Sequence, residues 1–453
     1  MSAALDLAER ALRAAEGDEA EATVQTERSG LARFAGSEVH QPTLISNETV
    51  QLRVVRDGRF GLAAGNSTSE EALRALARRA AAAADRAPAD PDFPGLAPRE
   101  DPPRVGGYDD ETAALGADEQ ARRAAAAIAA AAGFGVYGFF TSGVSSLAVA
   151  SSTGVAVEQE MTDATTVVLA AEDGASGYAE QTTWAVGESD PPAVTEEALE
   201  KAGRTAGAAE IEPGAWRAVL EPYALAELLQ YFSFDTFSGL ALIEERSYAN
   251  GRLGERVFDP KLSIADDPLD EQGMPKAFDA EGTPKRRVDL VEDGVLKSVV
   301  WDRASAARAE NATSTGHALP GSLRGWGPLP FALSVAAGEA ESVDELVDAV
   351  DDGIYVTRLH YLGIVQPREG VITGMTRDGT FRIRDGKIAE PLVNLRFTVA
   401  VPEVFADVPG LTRERKLVNQ NAFYDERYPF GVLAPALATG RFCITGTGSG
   451  PGL

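Results

Sequence analysis

Two neighbouring runs, ATVQTERSGLARFAGSEVHQ (22–41) and TVQLRVVRDGRFGLAAGN (49–66), decide the fold. Apolar and polar residues alternate in both, the period at which successive side chains of a strand take opposite faces of a sheet. Gln51, Arg53 and Arg56 interleave with apolar neighbours, and Asp57-Gly58 is a hairpin signal because both residue types accept the positive φ of a tight turn. The pattern predicts three antiparallel strands. Ser67-Thr-Ser-Glu-Glu71 then supplies the capping residues for an alanine-rich helix reaching Ala84.

Upstream, MSAALDLAERALRAAEGDEAEA reads as an amphipathic helix with acids throughout, without the basic start and apolar run of a secretory signal. No apolar run reaches the roughly eighteen residues a membrane span needs. The one cysteine cannot form an internal disulfide, and together these readings predict a cytoplasmic protein. Downstream, Asp85–Gly107 is a proline- and acid-rich connection. It is followed by a helix at 117–132, strands at 136–142, 145–151, 156–162, 164–172 and 178–186, and a helix at 195–209. The expected class is α+β: residues 1–211 form an N-terminal antiparallel sheet with helices on one face. Glu212-Pro-Gly marks a boundary, and residues 212–453 form a β-rich, barrel-like C-terminal domain. It opens with a strand at 216–220 and a helix at 221–240. Short strands follow near Phe258 and at 288–290, 295–301, 353–360, 370–378, 381–384, 395–401 and 442–446, with a second helix at 342–352.

Charge and ligand supply narrow the chemistry. The 453 residues carry 42 basic and 69 acidic side chains, a net charge of -27 that repels phosphate backbones and anionic membrane surfaces. Nucleic acid and membrane are therefore not expected partners. Only three histidines (His40, His317, His360) and Cys443 are present. None lies within four positions of another, so no helix offers paired imidazoles to a metal. No Gly-x-Ser-x-Gly elbow occurs, and the glycine-rich tail 446–450 lacks the strand-then-helix context of a nucleophile or phosphate loop.

Candidate binding residues cluster late in the chain. Strand parity puts Arg358 and His360 on one face, with Thr357 and Leu359 on the other. Arg358, Arg377 and Arg396 can donate to the carbonyls or carboxylate of an extended peptide lying along a sheet edge; the ordinary alternative is a set of solvated ion pairs. His317 lies in the small-residue loop Thr313-Ser-Thr-Gly-His317-Ala, which suits either close approach to a peptide backbone or a mobile surface loop. Cys443, in Gly440-Arg-Phe-Cys-Ile, reads as a buried core thiol.

The stretch Asp279-Ala-Glu-Gly-Thr-Pro-Lys-Arg-Arg-Val-Asp-Leu-Val-Glu-Asp-Gly-Val-Leu-Lys297, with Trp301-Asp302 and Ala307-Arg308 after it, resembles the core signature of the TldD/TldE (PmbA) family. Val54–Gly61 is similar to that family's first hairpin, and Gly374–Pro391 to its late strand pair. The resemblance implies a two-domain protein whose paralogues pair as a TldD–TldE heterodimer around a cavity that takes up unfolded peptide. In a TldD-type subunit an HExxxH helix and a later cysteine hold zinc, and the glutamate activates its water. Laid over this chain, the motif falls on Gln230-Tyr-Phe-Ser-Phe-Asp235, so Gln230, Tyr231 and Asp235 replace both histidines and the glutamate. The resemblance thus implies a TldE/PmbA-like subunit of a metalloprotease complex, without catalytic residues or metal of its own, with zinc in the TldD-type partner. A homodimeric peptide-binding or regulatory protein, and an autonomous hydrolase, remain alternative readings.

Overall fold

The computed structural model describes residues 3–419 and 427–448. Helix α1 (Ala3–Ala14) buries Ala4, Leu7, Ala8 and Ala11, the spacing a helix presents to one side. The alternating stretch forms β1 (Glu19–Ala35), β2 (Glu38–Arg56) and β3 (Arg59–Gly65), with Asp57 and Gly58 at φ 50° and 69° in the last turn. Ser69 caps α2 (Glu70–Ala84) by accepting from Ala72 N. Then come α3 (Asp110–Ala113), α4 (Ala117–Ala130), β4 (Val136–Ser151), β5 (Ala156–Glu172), β6 (Ala175–Thr183) and α5 (Pro191–Gly203). The six strands form an antiparallel sheet in the order β3-β2-β1-β4-β5-β6.

Register explains the helices' common face. Ala22 lies opposite both Leu52 and Ala150, and Thr23 opposite both Gln51 and Val149. The Ala22 set, with Val24, Val50, Val54 and Ala148, packs against α1 and α2, while Phe34, Phe140, Val168 and Ala179 pack against α4 and α5 on the same face. The Thr23 face is buried too, but polar: Glu21, Thr23, Thr141, Ser145, Asp163, Thr165 and Thr182 are all withdrawn from water. Such groups need partners, and residues of the second half supply them.

That contact also corrects the expected strands. The segments 136–142 and 145–151 are one strand, β4, and 156–162 and 164–172 are one strand, β5. Gly143 and Asp163, which read as breaks, instead make room for and bind Arg427. A Cβ on Gly143 would lie 2.9 Å from Arg427 Nε, and Arg427 donates to both Asp163 oxygens at 2.7 and 2.5 Å. Helix α5 starts at Pro191 and ends at Gly203, not 195–209. Prolines are tolerated in a first turn, where their missing N–H has no intrahelical partner to lose, and Asp190 caps the helix.

The second half opens with β7 (Gly214–Leu220) and α6 (Pro222–Thr236). The helix expected at 221–240 splits at Phe237-Ser238, where Ser238 caps α7 (Gly239–Ile243). Ten of the fifteen α6 residues are buried, as befits a helix apolar around most of its circumference. Short elements follow: β8 (Ile264–Asp266), β9 (Val288–Glu292), β10 (Val295–Leu296), α8 (Arg303–Ala307), β11 (Leu333–Val335) and α9 (Val343–Val350). The long strands are β12 (Gly353–Gln366), β13 (Val371–Arg384), β14 (Lys387–Leu392), β15 (Leu395–Ala400), then, after α10 (Val401–Val404), β16 (Leu411–Asn419) and β17 (Gly431–Thr447). Successive pairing of β17, β15, β13, β12 and β7, with β7 returning to β17, closes a ring that gives this half its barrel-like form. Leu225, Leu228, Leu229 and Phe232 of α6 share the core beneath it with Val356, Leu359, Phe397 and Phe442. Phe258, expected in a strand, lies outside any strand.

Gly379-Thr380, read as the gap between two strands, lies within β13, where Asp378 and Gly379 form a bulge. Arg377 faces Arg358 and Thr380 faces Val356, which leaves Asp378 and Gly379 opposite Thr357 alone, at φ 55° and 135°. Among the described residues no helix is long and apolar enough to cross a membrane.

Candidate functional site

Four elements meet around a cavity of about 210 Å³: Tyr178 and Glu180 from β6, Tyr223 and Glu227 from α6, Arg358 from β12, and Val418 and Asn419 from β16. Tyr223, Glu227 and Tyr231 follow one another at i, i+4 and i+8, so one stripe of the apolar helix is polar. The bulge in β13 aims Asp378 at Arg358, which donates to it at 2.7 Å while its guanidinium lies 3.7 Å from the centroid of the Tyr178 ring. Glu180 is held on both oxygens, by the Tyr178 hydroxyl at 2.5 Å and Asn419 N at 2.6 Å. Burial pushes Glu180 above the usual carboxylate range, against those two hydrogen bonds.

Glu227 differs. Among the described residues it has neither a hydrogen bond nor an ion pair, and burial raises it to about 7, with Arg358 opposing and Glu180 reinforcing the shift. Beyond Tyr223 lies a second cavity of about 230 Å³, walled by Glu197, Lys201, Glu221, Tyr355 and Lys416. The charges of these five are mutually satisfied. Lys201 reaches Glu221 at 2.7 Å and Glu197 at 2.9 Å, Lys416 reaches Glu197 at 2.7 Å, and the Tyr355 hydroxyl donates to Glu221.

The residues singled out in the sequence separate into groups. Arg358 and Arg377 are cross-strand neighbours, as are His360 and Met375, and Met375 in turn faces Arg396. Register therefore sets Arg358, His360, Arg377 and Arg396 on one face of β12, β13 and β15. Thr357 and Leu359 are buried on the other. Arg377 approaches Asp378 at 3.9 Å, whereas Arg396 is exposed. Burial, then the Arg358 and Arg377 cations, depress His360 to about 4, so its imidazole is neutral at pH 7. Strand β13 is paired on both sides, but β12 pairs with β7 only over Ile354–Val356, and no described strand covers its second side beyond that point.

His317 stands on no mobile surface loop. It is fully buried, with Nε2 2.7 Å from Asp266 Oδ2 and Nδ1 2.9 Å from Thr315 Oγ1. Burial, then Lys285, lower its pKa, and Asp266 only partly offsets them. The loop is packed tightly: a Cβ on Gly316 would come 2.6 Å from Pro284 O. Nearby, Asp279 accepts from the backbone N–H groups of Glu281, Thr283 and Ala318, tying the 279–283 turn to the His317 loop. Glu281 meets Arg53 at 3.4 Å, Arg53 meets Glu21 at 3.1 Å, and Arg324 meets Glu21 at 3.2 Å. The signature stretch is thus a clasp that fastens the second half to the polar face of the first sheet. Cys443 is half-buried rather than buried, and His40 is exposed on β2. Tyr178, Glu180, Glu227 and Asn419 were not read from the sequence. The available signal was Glu227, the lone acid inside Ala224-Leu-Ala-Glu-Leu-Leu229.

The arrangement of the two sheets is a fold already known in structure. The crystal structure of TldE from Thermococcus kodakarensis superposes with a TM-score of 0.85 over 97% of this chain and 99% of its own, at 20% identity, a likeness of fold. The family model described as the PmbA/TldA metallopeptidase C-terminal domain matches residues 213–446, and that for domain 1 of the same family matches residues 20–84. The chain belongs to the PmbA/TldD family of metalloprotease-like proteins. An uncharacterized protein of Methanocaldococcus jannaschii is 32% identical over 200 residues, 44% of this chain and 47% of that protein. A protein of Methanothermobacter thermautotrophicus named metalloprotease is 29% identical over 177 residues, 39% of this chain and 38% of its own. The chain spans about half, or less, of the length of these curated relatives.

The family's zinc can be tested against the side chains on α6. Gln230 is buried and its Nε2 donates to Ser233 Oγ at 3.3 Å, while its Oε1 has no partner among the described residues. Tyr231 packs its ring against Phe234, 5.7 Å between centroids. Asp235 is ion-paired with Arg246, which also binds Glu244 at 2.8 Å. An amide, a phenol and a carboxylate already neutralised by a guanidinium are not a zinc-ligand set. Among the described residues no three His, Cys, Asp or Glu side chains gather where they could hold a metal ion. These residues do not fit a zinc centre.

Proposed function

We propose that this chain is the non-metal, peptide-holding subunit of a two-subunit peptidase, paired with a paralogue that carries the HExxxH zinc site. The reading is carried by α6: on the overlay that the resemblance implies, Gln230, Tyr231 and the Arg246-bound Asp235 stand at the ligand positions of a largely buried helix. Two further features support a holding role. The uncovered side of β12 beyond Val356 offers main-chain groups to an extended chain. Beside it lie Arg358, His360 and Arg377, with a neutral imidazole at pH 7 that can accept or donate.

The test is to express the chain alone and with its HExxxH paralogue, then to follow association by analytical ultracentrifugation and cleavage of an unstructured peptide by mass spectrometry. A one-to-one complex that cleaves, with no turnover by this chain alone, is the expected result. Self-association in preference to the paralogue would favour a homodimeric binding protein, and turnover by the chain alone would favour an autonomous hydrolase. Either defeats the proposal.

A further inference from the structure

The charges around the 210 Å³ cavity are almost all spoken for. Arg358 is engaged by Asp378 and by the face of Tyr178, and both Glu180 oxygens accept hydrogen bonds. Lys201 and Lys416, behind Tyr223, are consumed by Glu197 and Glu221. Glu227 alone lines the space with a carboxyl that no described group satisfies. The volume corresponds to about seven waters at ~30 Å³ each, room for an unbranched chain and its polar head. An anion entering would face Glu227 and Glu180, with Arg358, the one cation lining the cavity among the described residues, already paired. A cation would give Glu227 its missing partner, and a charge-assisted bond in such a withdrawn site is stronger than one in water.

We propose that this cavity is a specificity pocket for a primary ammonium of the bound peptide, a lysine side chain or a free amino terminus, with Glu227 as its counterion. The inference rests on the peptide-holding reading of the same seam.

Proton linkage gives it a signature. The groups facing Glu227 are Arg358 from β12, Glu180 and Tyr178 from β6, Tyr223 and Tyr231 from its own helix, and Asn419 from β16. Since the free carboxyl sits near pH 7 and an ammonium binds its ionised form, docking expels a proton at neutral pH. Affinity for the cation falls as pH drops below about 7.

The experiment is calorimetric titration of the full chain with three capped or uncapped glycine-rich peptides: one containing lysine, one with norleucine in its place, and one with norleucine and a free amino terminus. Each is run at pH 6 and 8, and at pH 7 in two buffers of different ionisation heat. The expected result is at least about tenfold tighter binding of one ammonium-bearing peptide than of the capped norleucine peptide at pH 8. That preference shrinks at pH 6, is accompanied by proton release at pH 7, and is abolished by Glu227→Gln while the norleucine affinity is kept. Which of the two peptides shows it identifies the source of the ammonium. Equal binding of all three peptides, or a preference that survives Glu227→Gln, overturns the pocket and leaves peptide holding intact. Failure of every peptide to bind overturns peptide holding itself and the pocket with it. Loss of folding in the variant leaves the wild-type pH dependence and proton release to decide.

Discussion

The seam between the two sheets holds two polar clusters of opposite character. At one end, the clasp sets Glu21, Arg53, Glu281 and Arg324 in alternating sign, with the buried Asp266–His317 pair in the same half of the chain as Glu281 and Arg324 and every carboxylate withdrawn from solvent. At the other, the same first sheet contributes Tyr178 and Glu180 to a cavity in which Glu227 is left alone. Burial raises Glu281 in the first cluster and Glu227 in the second, so a perturbed pKa does not tell fastening from function. The difference lies in space and pairing: the clasp charges face opposite charges across close contacts, whereas the cavity keeps one carboxyl and an opening.

Variants can break this contrast, starting from the clasp. Arg53→Met strands Glu21 and Glu281 as buried, uncompensated carboxylates, and a loss of about 3–5 kcal/mol is expected in urea unfolding. His317→Leu removes the partner of the fully buried Asp266 and is expected to cost about 1–3 kcal/mol. Asp266 is held below its ordinary range because His317 and other donors outweigh its burial. Its contribution is therefore present above about pH 4, the unfolded range, and lost as pH falls further. In His317→Leu the acid limb of the stability curve should shift upward in pH.

Glu227 predicts the reverse sign. Its folded pKa lies above the unfolded value, so folding is penalised fully above pH 7 and not at all below about 4.5. Glu227→Gln should then stabilise the chain by about 1 kcal/mol at pH 8, with no gain at pH 4, in thermal scans. A group that weakens its own fold this way is retained for binding rather than for fastening. The smallest effect is expected at Arg396, which is exposed and without an ion pair among the described residues. Arg396→Ala should change stability by less than about 0.5 kcal/mol.

Local signals were legible in the sequence: the alternation of 22–65, the Asp57-Gly58 turn, the Ser69 cap and the parity of Arg358 with His360. What alternation could not convey is where the polar face goes. Glu21, Thr23 and Asp163 are polar, yet they are buried against another half of the chain encoded far downstream. The return of β7 to β17 is likewise a pairing between distant segments, invisible to local periodicity. Gly143 and Gly379 read as breaks because close approach and turns call for the same small residue. The small-residue loop of His317 suited either a peptide contact or a mobile surface loop in the sequence, whereas here it is locked under Pro284. Glu227 was overlooked because a single acid in an apolar helix carries no period.

On the function proposed above, α6 is in this chain a binding wall and not a hydrolytic centre. Zinc analysis of the purified chain, measured by plasma mass spectrometry after zinc loading and desalting, tests it most directly. The account predicts far less than one zinc per chain, unchanged by Asp235→Asn. One tightly held zinc per chain, lost in that variant, would contradict it.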